Sequence, residues 1–420
     1  MNHKTVVLDD DPTGTQSATG VRVLLRWGAP HPPLAELLHE ALREADGVYV
    51  QTNSRALDEA AALALVTEVR DAAREAGRLL GARVRCVLRG DSTLRGHVFA
   101  ETGAFTGPDD VVLFVPAFPA GGRTTVDGVH LVRTADGDVP AGETEYAADP
   151  VFGFTSSRLS EYVREKSGRT PVPVARPDAL ARALEEAPAG AVLLPDVRDD
   201  ADVQALADAV RAWTPPPGRD VVVRCAAPLA AALAGVTSTG FLDRPLRPGS
   251  PHVLVVCGSH TDGARAQLEA LARRHGPAHV LPTADALADP VAAGEDLAER
   301  ARADLAAGVA VVATERVRSG EHGTLAHGEA VMTALVAAVQ RLVPDADAVV
   351  SKGGITAAEV ARTGIGADTA LVEGQVAAGI SVWRMAVQGG DGDRDVLQVV
   401  VPGNVGGPDA VVDAVAALGR

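Results

Sequence analysis

The sequence has few cysteines and no long hydrophobic stretch. Its 420 residues include three cysteines, which are odd in number and far apart: Cys86, Cys225 and Cys257. This pattern argues against a disulfide framework or a Cys-x-x-Cys zinc site and fits a reducing cytoplasm. No apolar run is long enough for a membrane span, and no signal-peptide hydrophobic region precedes the first predicted strand. We therefore expect a cytoplasmic protein.

Positive charge is also scarce. The formal net charge is −16 at pH 7, and no stripe of basic residues is present, which argues against a nucleic-acid partner. Only three of the 39 lysine and arginine residues are lysines: Lys4, Lys166 and Lys352. A GC-rich genome would explain this bias without any function, but each lysine merits inspection because arginine is the default cation here.

Familiar catalytic motifs are absent. No lysine follows a glycine, so there is no G-x-x-x-x-G-K-[ST] loop, and no G-x-G-x-x-G follows a predicted strand. These absences disfavour an ordinary P-loop kinase and a Rossmann dehydrogenase, and there is no G-x-S-x-G nucleophile elbow either. His322 and His327 are five residues apart, which suits joint metal ligation from a helix poorly, so we assign them to a loop.

Short β-branched runs alternate with alanine-rich helical stretches along the whole chain. KTVVLDD, GVYVQTN, VRCVLRG and VVLFVPA are typical of buried strands, and a second series runs from AVLLPDV to QVVVPGN. Helical segments such as LDEAAALALVTEVRDAAREAG lie between strands. The alternation predicts an α/β fold of two domains, each a mainly parallel sheet flanked by helices.

Domain boundaries follow from composition. The segment 242–252, LDRPLRPGSPH, is rich in proline and glycine, and a strand–glycine–helix pattern restarts directly after it. We therefore expect a larger domain at 1–245 and a smaller one at 250–420. The long loop at 136–158 is expected to form part of a cleft or a lid.

Polar clusters follow four predicted strands in the first half of the chain. They are LDDDPTGTQ at 8–16, QTNSRAL at 51–57, LRGDSTLRGH at 88–97 and VPAFPAGGRTTVDGVH at 115–130. Loops after parallel strands share one edge of a sheet, so these clusters are expected to converge. The candidate residues that they supply are Asp10, Asp11, Thr13, Asn53, Ser54, Arg55, Asp91, Ser92, Arg95, His97, Arg123 and Thr124.

The chemistry of these clusters suits a small polyhydroxy acid. Carboxylates and amides accept hydrogen bonds from hydroxyl groups, and arginines bind a carboxylate or phosphate with paired hydrogen bonds. The alternative, which we favour for any single residue, is that Arg and Asp pair as structural salt bridges. The adjacent carboxylates Asp9, Asp10 and Asp11 repel one another unless water, a cation or a ligand hydroxyl lies among them. A solvated Asp-Pro-Thr-Gly turn is the alternative for that stretch.

Asp91 is the most specific candidate. It stands alone at a predicted strand end and is followed by Ser92, Arg95 and His97. This arrangement offers a general base for a substrate hydroxyl, with a cation nearby. Alternatively, Asp91 only caps a helix that begins at Ser92.

Glycine motifs follow three predicted strands in the second half of the chain. They are VVCGSH at 255–260, VVSKGGITAAEVA at 349–361 and VVVPGNVGGPDAVV at 399–412. Each leads into a helical stretch, where backbone amides can cradle an anion. Three such loops in one domain, one of them with Lys352, predict a nucleotide site. Cys257 is expected to be a small buried hydrophobic residue.

Seven segments, in order, resemble the motifs of the four-carbon acid sugar kinase family. They are LDDDPTGTQ, TNSRAL, RGDSTLRGH, PAFPAGGRTTVDGVH, PAGETEYAADPVFGFTSSRLSEYV, SKGGITAAEVA and VPGNVGGPD. The resemblance implies an N-terminal sugar-acid-binding domain and a C-terminal nucleotide-binding domain. It also implies that ATP phosphorylates a hydroxyl group, typically the terminal one, of an acid such as threonate, erythronate or 3-oxo-tetronate.

The resemblance and the residue chemistry together give a set of expected ligand contacts. For the nucleotide they are Ser259, Lys352, Gly353, Gly354, Ile355, Thr356, Gly403, Asn404 and Gly406. For the sugar acid they are Thr13, Asn53, Ser54, Arg55, Arg89, Ser92 and Arg123. Two stretches depart from the common pattern: GGIT at 353–356 replaces the frequent GGDT, as in one branch of the family, and TDGARAQ follows GSH where that branch often has Lys-Thr. The first departure bears on which substrate subgroup of the family the chain resembles. The second bears on how the phosphate groups of the nucleotide are bound after GSH.

These expectations combine into a kinase with its active site in the cleft between the domains. Mg²⁺-ATP would bind the C-terminal glycine loops, and the acid would lie across the N-terminal strand ends. Asp91 is the first candidate for orienting or deprotonating the hydroxyl, and Asp10 and Asp11 are its rivals. The arginines expected to hold the carboxylate or the transferring phosphoryl group are Arg55, Arg95 and Arg123.

Two alternatives remain open at this point. One is a kinase of the same mechanism that acts on a different hydroxy acid in specialised metabolism. The other is a sugar-acid-binding protein without catalysis. The expected partners are a small acid and ATP, with a homodimer as one option and without nucleic acid or membrane.

Overall fold

A computed structural model describes residues 3–134, 137–238, 240–315, 325–387, 394–403 and 405–420. The chain divides into two units, Met1–Ser238 and Thr239–Arg420. Both units are α/β, with helices that flank a mainly parallel sheet, which confirms the predicted fold class. No helix within the described ranges is long and apolar enough to cross a membrane.

The first unit contains a parallel main sheet and a small antiparallel one. Its strands are β1 (His3–Asp9), β2 (Val21–Leu24), β3 (Gly47–Gln51), β4 (Arg83–Arg89), β5 (Val111–Val115), β6 (Arg123–Val126), β7 (Val129–Thr134), β8 (Gly137–Pro140), β9 (Pro171–Val174), β10 (Val192–Pro195) and β11 (Val221–Cys225). The main sheet has the order β2–β3–β1–β4–β11–β5–β10–β9, and its neighbouring strands are parallel. Strands β6, β7 and β8 form the antiparallel sheet, so the predicted long loop begins with a strand.

Helices cover both faces of the main sheet. They are α1 (Leu34–Glu44), α2 (Glu59–Leu80), α3 (Val98–Phe105), α4 (Leu159–Ser167), α5 (Leu180–Glu186), α6 (Asp200–Ala212) and α7 (Ala227–Ala234). On β1, Val6 and Leu8 point to the face covered by α1 and α2. Thr5 has the opposite parity and donates its hydroxyl to the Leu233 carbonyl of α7 at 3.3 Å. A Cβ at Gly47 would lie 2.6 Å from the Ala234 carbonyl oxygen, so glycine permits the close approach of α7.

The start, the end and the buried face of helix α2 follow from its local sequence. The Asp58 carboxylate accepts a hydrogen bond from the Ala61 amide at 2.8 Å, and Gly81, with a φ of 60°, ends the helix. Its buried residues recur at helical spacing: Ala62, Val66, Val69, Ala73, Ala76 and Gly77. This apolar stripe packs on the face of the sheet that carries Val6 and Leu8.

The second unit has a mixed sheet. Its strands are β12 (Val253–Cys257), β13 (His279–Leu281), β14 (Val309–Thr314), β15 (Ala348–Lys352), β16 (Thr369–Ala377), β17 (Ile380–Val387) and β18 (Arg394–Val401). The order is β13–β14–β12–β15–β18–β17–β16, with β17 antiparallel to both of its neighbours. The helices are α8 (Asp262–His275), α9 (Thr283–Ala288), α10 (Pro290–Ala307), α11 (Leu325–Leu342), α12 (Gly354–Glu359) and α13 (Ala410–Ala417). The assignment of His327 to a loop is wrong, because it lies in the first turn of α11, and His322 lies outside the described residues. Helices α8 and α13 pack on the core residues of β12, β15 and β18.

The three cysteines lie in strands. Cys225 ends β11 and Cys257 ends β12, and both are buried, which confirms the expectation for Cys257. Cys86 is half-buried in β4. Burial raises the pKa of the Cys86 and Cys225 thiols to about 12.

Candidate active site

Three of the predicted polar clusters follow adjacent strands of the first unit. Strand β1 lies between β3 and β4, and Asp9 at its end is paired with Gln51 and Arg89. These strands are parallel, so the loops that follow them meet at one edge of the sheet. The fourth cluster follows β5 at the same edge, separated from β4 by β11. The structure thus brings the first three clusters into direct neighbourhood.

Arg89 holds the three consecutive carboxylates together. The residue is 1% exposed, and its Nη1 lies 3.0, 3.5 and 2.8 Å from carboxylate oxygens of Asp9, Asp10 and Asp11, respectively. Its Nη2 donates to Thr13 Oγ1 at 2.9 Å. Charge-assisted hydrogen bonds therefore offset the repulsion among the carboxylates.

This arrangement bears on whether the aspartates hold a metal. Oxygens of Asp9, Asp10 and Asp11 lie within 4.8 Å of one another, which is close enough for a shared cation. However, Arg89 Nη1 already contacts all three carboxylates. Arg55 also pairs with Asp11. The guanidinium groups supply the positive charge that a cation would supply, so the triple aspartate does not fit a resident metal ion.

Asp9 is the most deeply buried of the three. Burial raises its pKa to about 7, despite the opposing effect of Arg89. At neutral pH the site therefore carries less negative charge than its sequence implies. A Cβ at Gly14 would lie 2.0 Å from Asp9 Oδ1, so glycine is required where the turn crosses this carboxyl group.

Asp91 lies in a turn beyond the end of β4. Its Oδ2 accepts hydrogen bonds from Thr93 Oγ1 and, at 2.7 Å, from Arg95 Nε, and Arg55 Nη1 lies 3.7 Å away. Burial alone would raise the pKa of Asp91, but Arg95 and Arg55 outweigh it and hold the pKa well below its usual range. Asp91 is thus an ionised hydrogen-bond acceptor between two cations. The alternative role as a helix cap is wrong, because no helix begins at Ser92 and α3 begins only at Val98.

Two further loops contribute to the surroundings of Arg95. Its guanidinium lies over the Tyr146 ring, 5.0 Å from the centroid, and its Nη1 is 3.7 Å from Asp149 Oδ2. Arg123 is 7% exposed and donates to the Gly121 carbonyl. The predicted lid segment therefore contacts the Asp91 turn through Tyr146 and Asp149.

His130 makes a hydrogen bond to the backbone of the turn that contains Asp91. It is fully buried on β7, with Nε2 2.8 Å from the Ser92 carbonyl and Nδ1 3.1 Å from Thr125 Oγ1. A carbonyl only accepts, so Nε2 carries the proton and the Thr125 hydroxyl donates to Nδ1. Burial lowers the pKa of His130 to about 4, which keeps the ring neutral.

We expect acid to destabilise the first unit through His130. The pKa of this side chain is 6.5 when it is fully solvated, as in the unfolded chain, and about 4 in the fold. The unfolded chain therefore binds more protons between these values, and the free energy of unfolding falls as the pH drops through this window, by about 3 kcal/mol in all. The pKa of Asp9 is raised in the fold, so Asp9 makes the free energy of unfolding change with pH in the opposite direction. The contribution of His130 is therefore measured as the difference between the unaltered protein and a His130 variant. Urea unfolding across this window should show a weaker acid loss for His130→Gln than for the unaltered protein; equal slopes would contradict the assignment.

Arg224 and Glu101 belong to the site but were not predicted. Arg224 on β11 donates to Asp10 Oδ2 at 3.0 Å and also pairs with Glu101 on α3. Ser54 Oγ donates to Glu101 Oε1 at 2.5 Å. Arg224, Glu101, Asp10 and Ser54 are all buried. Asn53, which precedes Ser54, adopts a φ of 50°. The available signal was an arginine within the apolar run VVVRC, where burial demands a partner.

Three glycine loops meet in the second unit. They follow β12, β15 and β18, which are adjacent and parallel. A Cβ at Gly353 or at Gly403 would lie 3.4 Å from Ser259, and Thr261 Oγ1 donates to the Gly403 carbonyl at 3.2 Å. Thr356 Oγ1 packs against Gly258, where a Cβ would lie 2.3 Å away. The predicted residues Ser259, Gly353, Thr356 and Gly403 are thus brought together.

The remaining predicted nucleotide residues differ in accessibility. Gly354 begins α12 and Ile355 is exposed, whereas Lys352 is 1% exposed. The Lys352 ammonium donates to the Pro402 carbonyl at 2.6 Å and the Val405 carbonyl at 3.3 Å, and burial lowers its pKa to about 8. Asn404 lies outside the described residues.

Gln267 of α8, which no sequence motif indicated, also holds the third glycine loop, the one after β18. Its Nε2 lies 3.3, 3.1 and 3.0 Å from the carbonyl oxygens of Val405, Gly406 and Gly407, respectively. Lys352 and Gln267 therefore fix this loop through its backbone.

Comparisons with known proteins cover both units. A family model described as "Sugar-binding N-terminal domain" matches residues 5–233, and one described as "Nucleotide-binding C-terminal domain" matches residues 254–411. The chain is similar to D-threonate kinase of Bordetella bronchiseptica, with 35% identity over 67% of this chain and 65% of that protein. It is also similar to D-erythronate kinase of Heliobacterium modesticaldum, with 29% identity over 70% of this chain and 65% of that protein. The chain thus spans just under two thirds of the length of these relatives.

A solved structure shares the fold. Haemophilus influenzae protein HI1011 matches with a TM-score of 0.63 and 18% identity, over 98% of this chain and 100% of that chain. The first family model alone covers more than half of the chain. The ranges matched by the two models together contain the seven motifs. The resemblance is therefore confirmed: the chain belongs to the four-carbon acid sugar kinase family.

Proposed function

We propose that this protein is a kinase that transfers a phosphoryl group from ATP to a hydroxyl group, the terminal one, of a four-carbon sugar acid. Threonate, erythronate and 3-oxo-tetronate are the candidate acids. Relatives named D-threonate kinase and D-erythronate kinase support the reaction class. The observation that carries the proposal is the Asp91 carboxylate, which is held ionised between Arg55 and Arg95.

In the proposed reaction, the hydroxyl of the acid donates its hydrogen bond to Asp91. Phosphoryl transfer depends mainly on positioning and charge neutralisation, so a weakly basic carboxylate that orients the hydroxyl is sufficient. Of the two arginines that contact Asp91, Arg95 has the more accessible side chain, with 24% of it exposed against 15% for Arg55. We assign Arg95 to the carboxylate of the acid, because Nη2 of Arg55 is already paired with Asp11.

The nucleotide is assigned to the loops around Ser259. Backbone amides at the glycine turns and at the start of α8 would bind the phosphate groups. Mg²⁺ enters as the Mg²⁺-ATP substrate and neutralises phosphate charge. Since Arg89 contacts all three of Asp9, Asp10 and Asp11, these aspartates are not proposed as its ligands.

The direct test is ADP formation from Mg²⁺-ATP with a panel of acids. D- and L-threonate, D- and L-erythronate and the 3-oxo-tetronates should be compared with glycerate and malate, which differ in chain length or hydroxyl position. We expect ADP release that depends on one of the four-carbon acids. Release only with another hydroxy acid would support the alternative kinase. ATP binding with no ADP release for any acid would support the alternative role in sugar-acid binding without catalysis.

We expect Lys352→Met to raise the KM for ATP about tenfold and to leave the KM for the acid unchanged. The substitution removes two charge-assisted hydrogen bonds that fix the third glycine loop. Initial rates at varied ATP and saturating acid measure the effect. The matched control is Lys166→Met, which removes a partly exposed lysine from α4 of the first unit. An unchanged KM for ATP in Lys352→Met would restrict Lys352 to a role in stability.

A further inference from the structure

Two buried side chains bind the backbone of the turn that carries Asp91. The Tyr162 hydroxyl group of α4 donates to the Leu94 carbonyl at 2.7 Å, and His130 Nε2 of β7 lies 2.8 Å from the Ser92 carbonyl. Tyr162 and His130 are both buried, so they contact the turn from inside the first unit. Buried carbonyl groups need such donors, because water does not reach them.

The two carbonyl groups precede the residues that orient Asp91. Asp91 Oδ2 accepts hydrogen bonds from Thr93 Oγ1 and Arg95 Nε. The Ser92 carbonyl belongs to the peptide unit that leads into Thr93, and the Leu94 carbonyl belongs to the one that leads into Arg95. A peptide unit is planar, so a hydrogen bond to its carbonyl oxygen restrains the whole unit. The two buried donors therefore restrain the backbone directly before each partner of the Asp91 carboxylate.

The turn has a conformation that requires such restraint. Leu94 has a φ of 69°, in the left-handed region that is unfavourable for a residue with a bulky side chain. Its side chain is buried in the same core cluster as Phe99 and Tyr162. Strained residues of this kind persist only where several contacts hold them, and they occur frequently at functional sites. Loss of the Tyr162 hydrogen bond would therefore favour relaxation of the turn.

The ring of Tyr162 is fixed independently of its hydroxyl group. It stacks on Phe114 of β5, with the ring centroids 5.8 Å apart, and it meets Phe154 edge-on at 5.7 Å. Aromatic pairs with these geometries stabilise the position of a buried ring. The hydroxyl group can therefore be removed while the ring keeps its place.

The hairpin that carries the His130 imidazole is fastened to the end of β10. The Asp196 carboxylate accepts hydrogen bonds from the amides of Asp127 at 2.8 Å and Gly128 at 2.9 Å. Thr125 and Val197 exchange two backbone hydrogen bonds, of 2.8 and 2.9 Å. The Thr125 hydroxyl group also contacts the second imidazole nitrogen. The imidazole is thus attached to the main sheet and cannot simply follow the turn if the turn moves.

We propose that Tyr162 and His130 are positioning residues for phosphoryl transfer. They hold the turn so that Thr93 and Arg95 keep the Asp91 carboxylate aligned with the attacking hydroxyl group. The inference rests on the proposed function, because it requires that Asp91 orients this hydroxyl group. In this role neither side chain touches the acid, and both act through the backbone of the turn. A misplacement of about 1 Å can lower a rate about 100-fold, so small shifts of the turn matter.

The first test removes one hydroxyl group. We expect Tyr162→Phe to lower kcat about tenfold and to leave the KM for ATP unchanged, because the second unit is not altered. Initial rates of acid-dependent ADP formation measure both constants, and circular dichroism confirms that the variant is folded. The matched control is Tyr49→Phe. Tyr49 is a buried tyrosine on β3, and its hydroxyl group has no hydrogen-bond partner among the residues that the structure describes, so kcat should not change.

The second test compares two substitutions of one residue. His130→Leu removes the donor to the Ser92 carbonyl, whereas His130→Gln retains an N–H group of similar reach. We expect kcat to fall about tenfold in His130→Leu and to remain close to that of the unaltered protein in His130→Gln. A role in packing alone would affect both variants equally. If His130→Leu does not fold, Tyr162→Phe decides the question.

Amide hydrogen exchange adds a measurement that does not depend on catalysis. Exchange reports local opening of the backbone. In peptides that cover residues 91–97, we expect faster exchange in Tyr162→Phe and His130→Leu than in the unaltered protein. Tyr49→Phe should exchange in this segment as the unaltered protein does.

The outcomes separate the two proposals. Full kcat in both Tyr162→Phe and His130→Leu would overturn the positioning role and leave the kinase proposal standing. An equal fall of kcat in Tyr162→Phe and Tyr49→Phe would also overturn it, because the effect would not concern the hydrogen bond to the turn. An unaltered protein that releases no ADP with any acid would overturn the kinase proposal, and the positioning role with it.

Discussion

Asp91→Asn is expected to lower kcat about a thousandfold while the protein remains folded. The amide has the shape of the carboxylate but lacks the negative charge that orients the attacking hydroxyl group. Positioned groups of this kind contribute 10²- to 10⁴-fold to rates. The change also removes the anion that Arg95 and Arg55 face. Acid-dependent ADP formation measures the effect, and circular dichroism checks the fold.

Asp149→Asn is the matched control for this prediction. It removes a carboxylate 3.7 Å from Arg95 Nη1, on a different loop from Asp91. We expect kcat to change less than tenfold, because Asp149 contacts Arg95 and is not assigned to the attacking hydroxyl group. That hydroxyl group is assigned to Asp91. If Asp91→Asn retained full turnover, the role of Asp91 would pass to the Asp10 and Asp11 pair.

Arg89→Met should lower the free energy of unfolding of the first unit by about 3–5 kcal/mol. Removal of one partner from a buried ion pair leaves an uncompensated charge, which is strongly destabilising. Here a single guanidinium contacts Asp9, Asp10 and Asp11, all of which are buried. Urea unfolding at neutral pH measures the loss. Unfolding at about pH 4, where the pKa of Asp9 near 7 leaves that carboxyl group protonated, should show a smaller loss.

Arg83→Met provides the control on the same strand. Arg83 begins β4 and pairs with Asp220 at 2.7 Å, but both side chains are nearly half exposed. Exposed ion pairs contribute little, so the expected loss is below about 1 kcal/mol. Equal losses for Arg83→Met and Arg89→Met would mean that the buried cluster does not depend on Arg89.

The sequence predicted the strands that are buried on both faces. Runs such as VVLFV and VVSK have no polar alternation, and the structure places them in the parallel sheets. It did not predict β16, because alternate residues of TALVEGQVA are only partly buried and mix polar with apolar types. The small sheet β6–β8 was missed for a similar reason, since its strands are short and partly exposed.

The site was predictable as far as strand ends determine it. The clusters after β1, β3 and β4 could be placed together because a parallel sheet aligns its loops. The direction in which each side chain points could not be predicted from the sequence. Lys352 was expected to face a phosphate, yet its ammonium faces two backbone carbonyl groups. The partners Arg224 and Glu101 are 123 residues apart in the chain, and no local pattern connects such residues.

The burial of the cysteines has a practical consequence for spectroscopy. A thiol with a pKa near 12 is almost entirely protonated at neutral pH, and only the thiolate reacts readily with maleimides. Cys86 and Cys225 have such pKa values, and Cys257 is fully buried. A fluorophore pair could therefore be attached to one new surface cysteine in each unit without first removing the native thiols. Energy transfer between the two dyes would then report directly on whether ATP and the acid change the distance between the units.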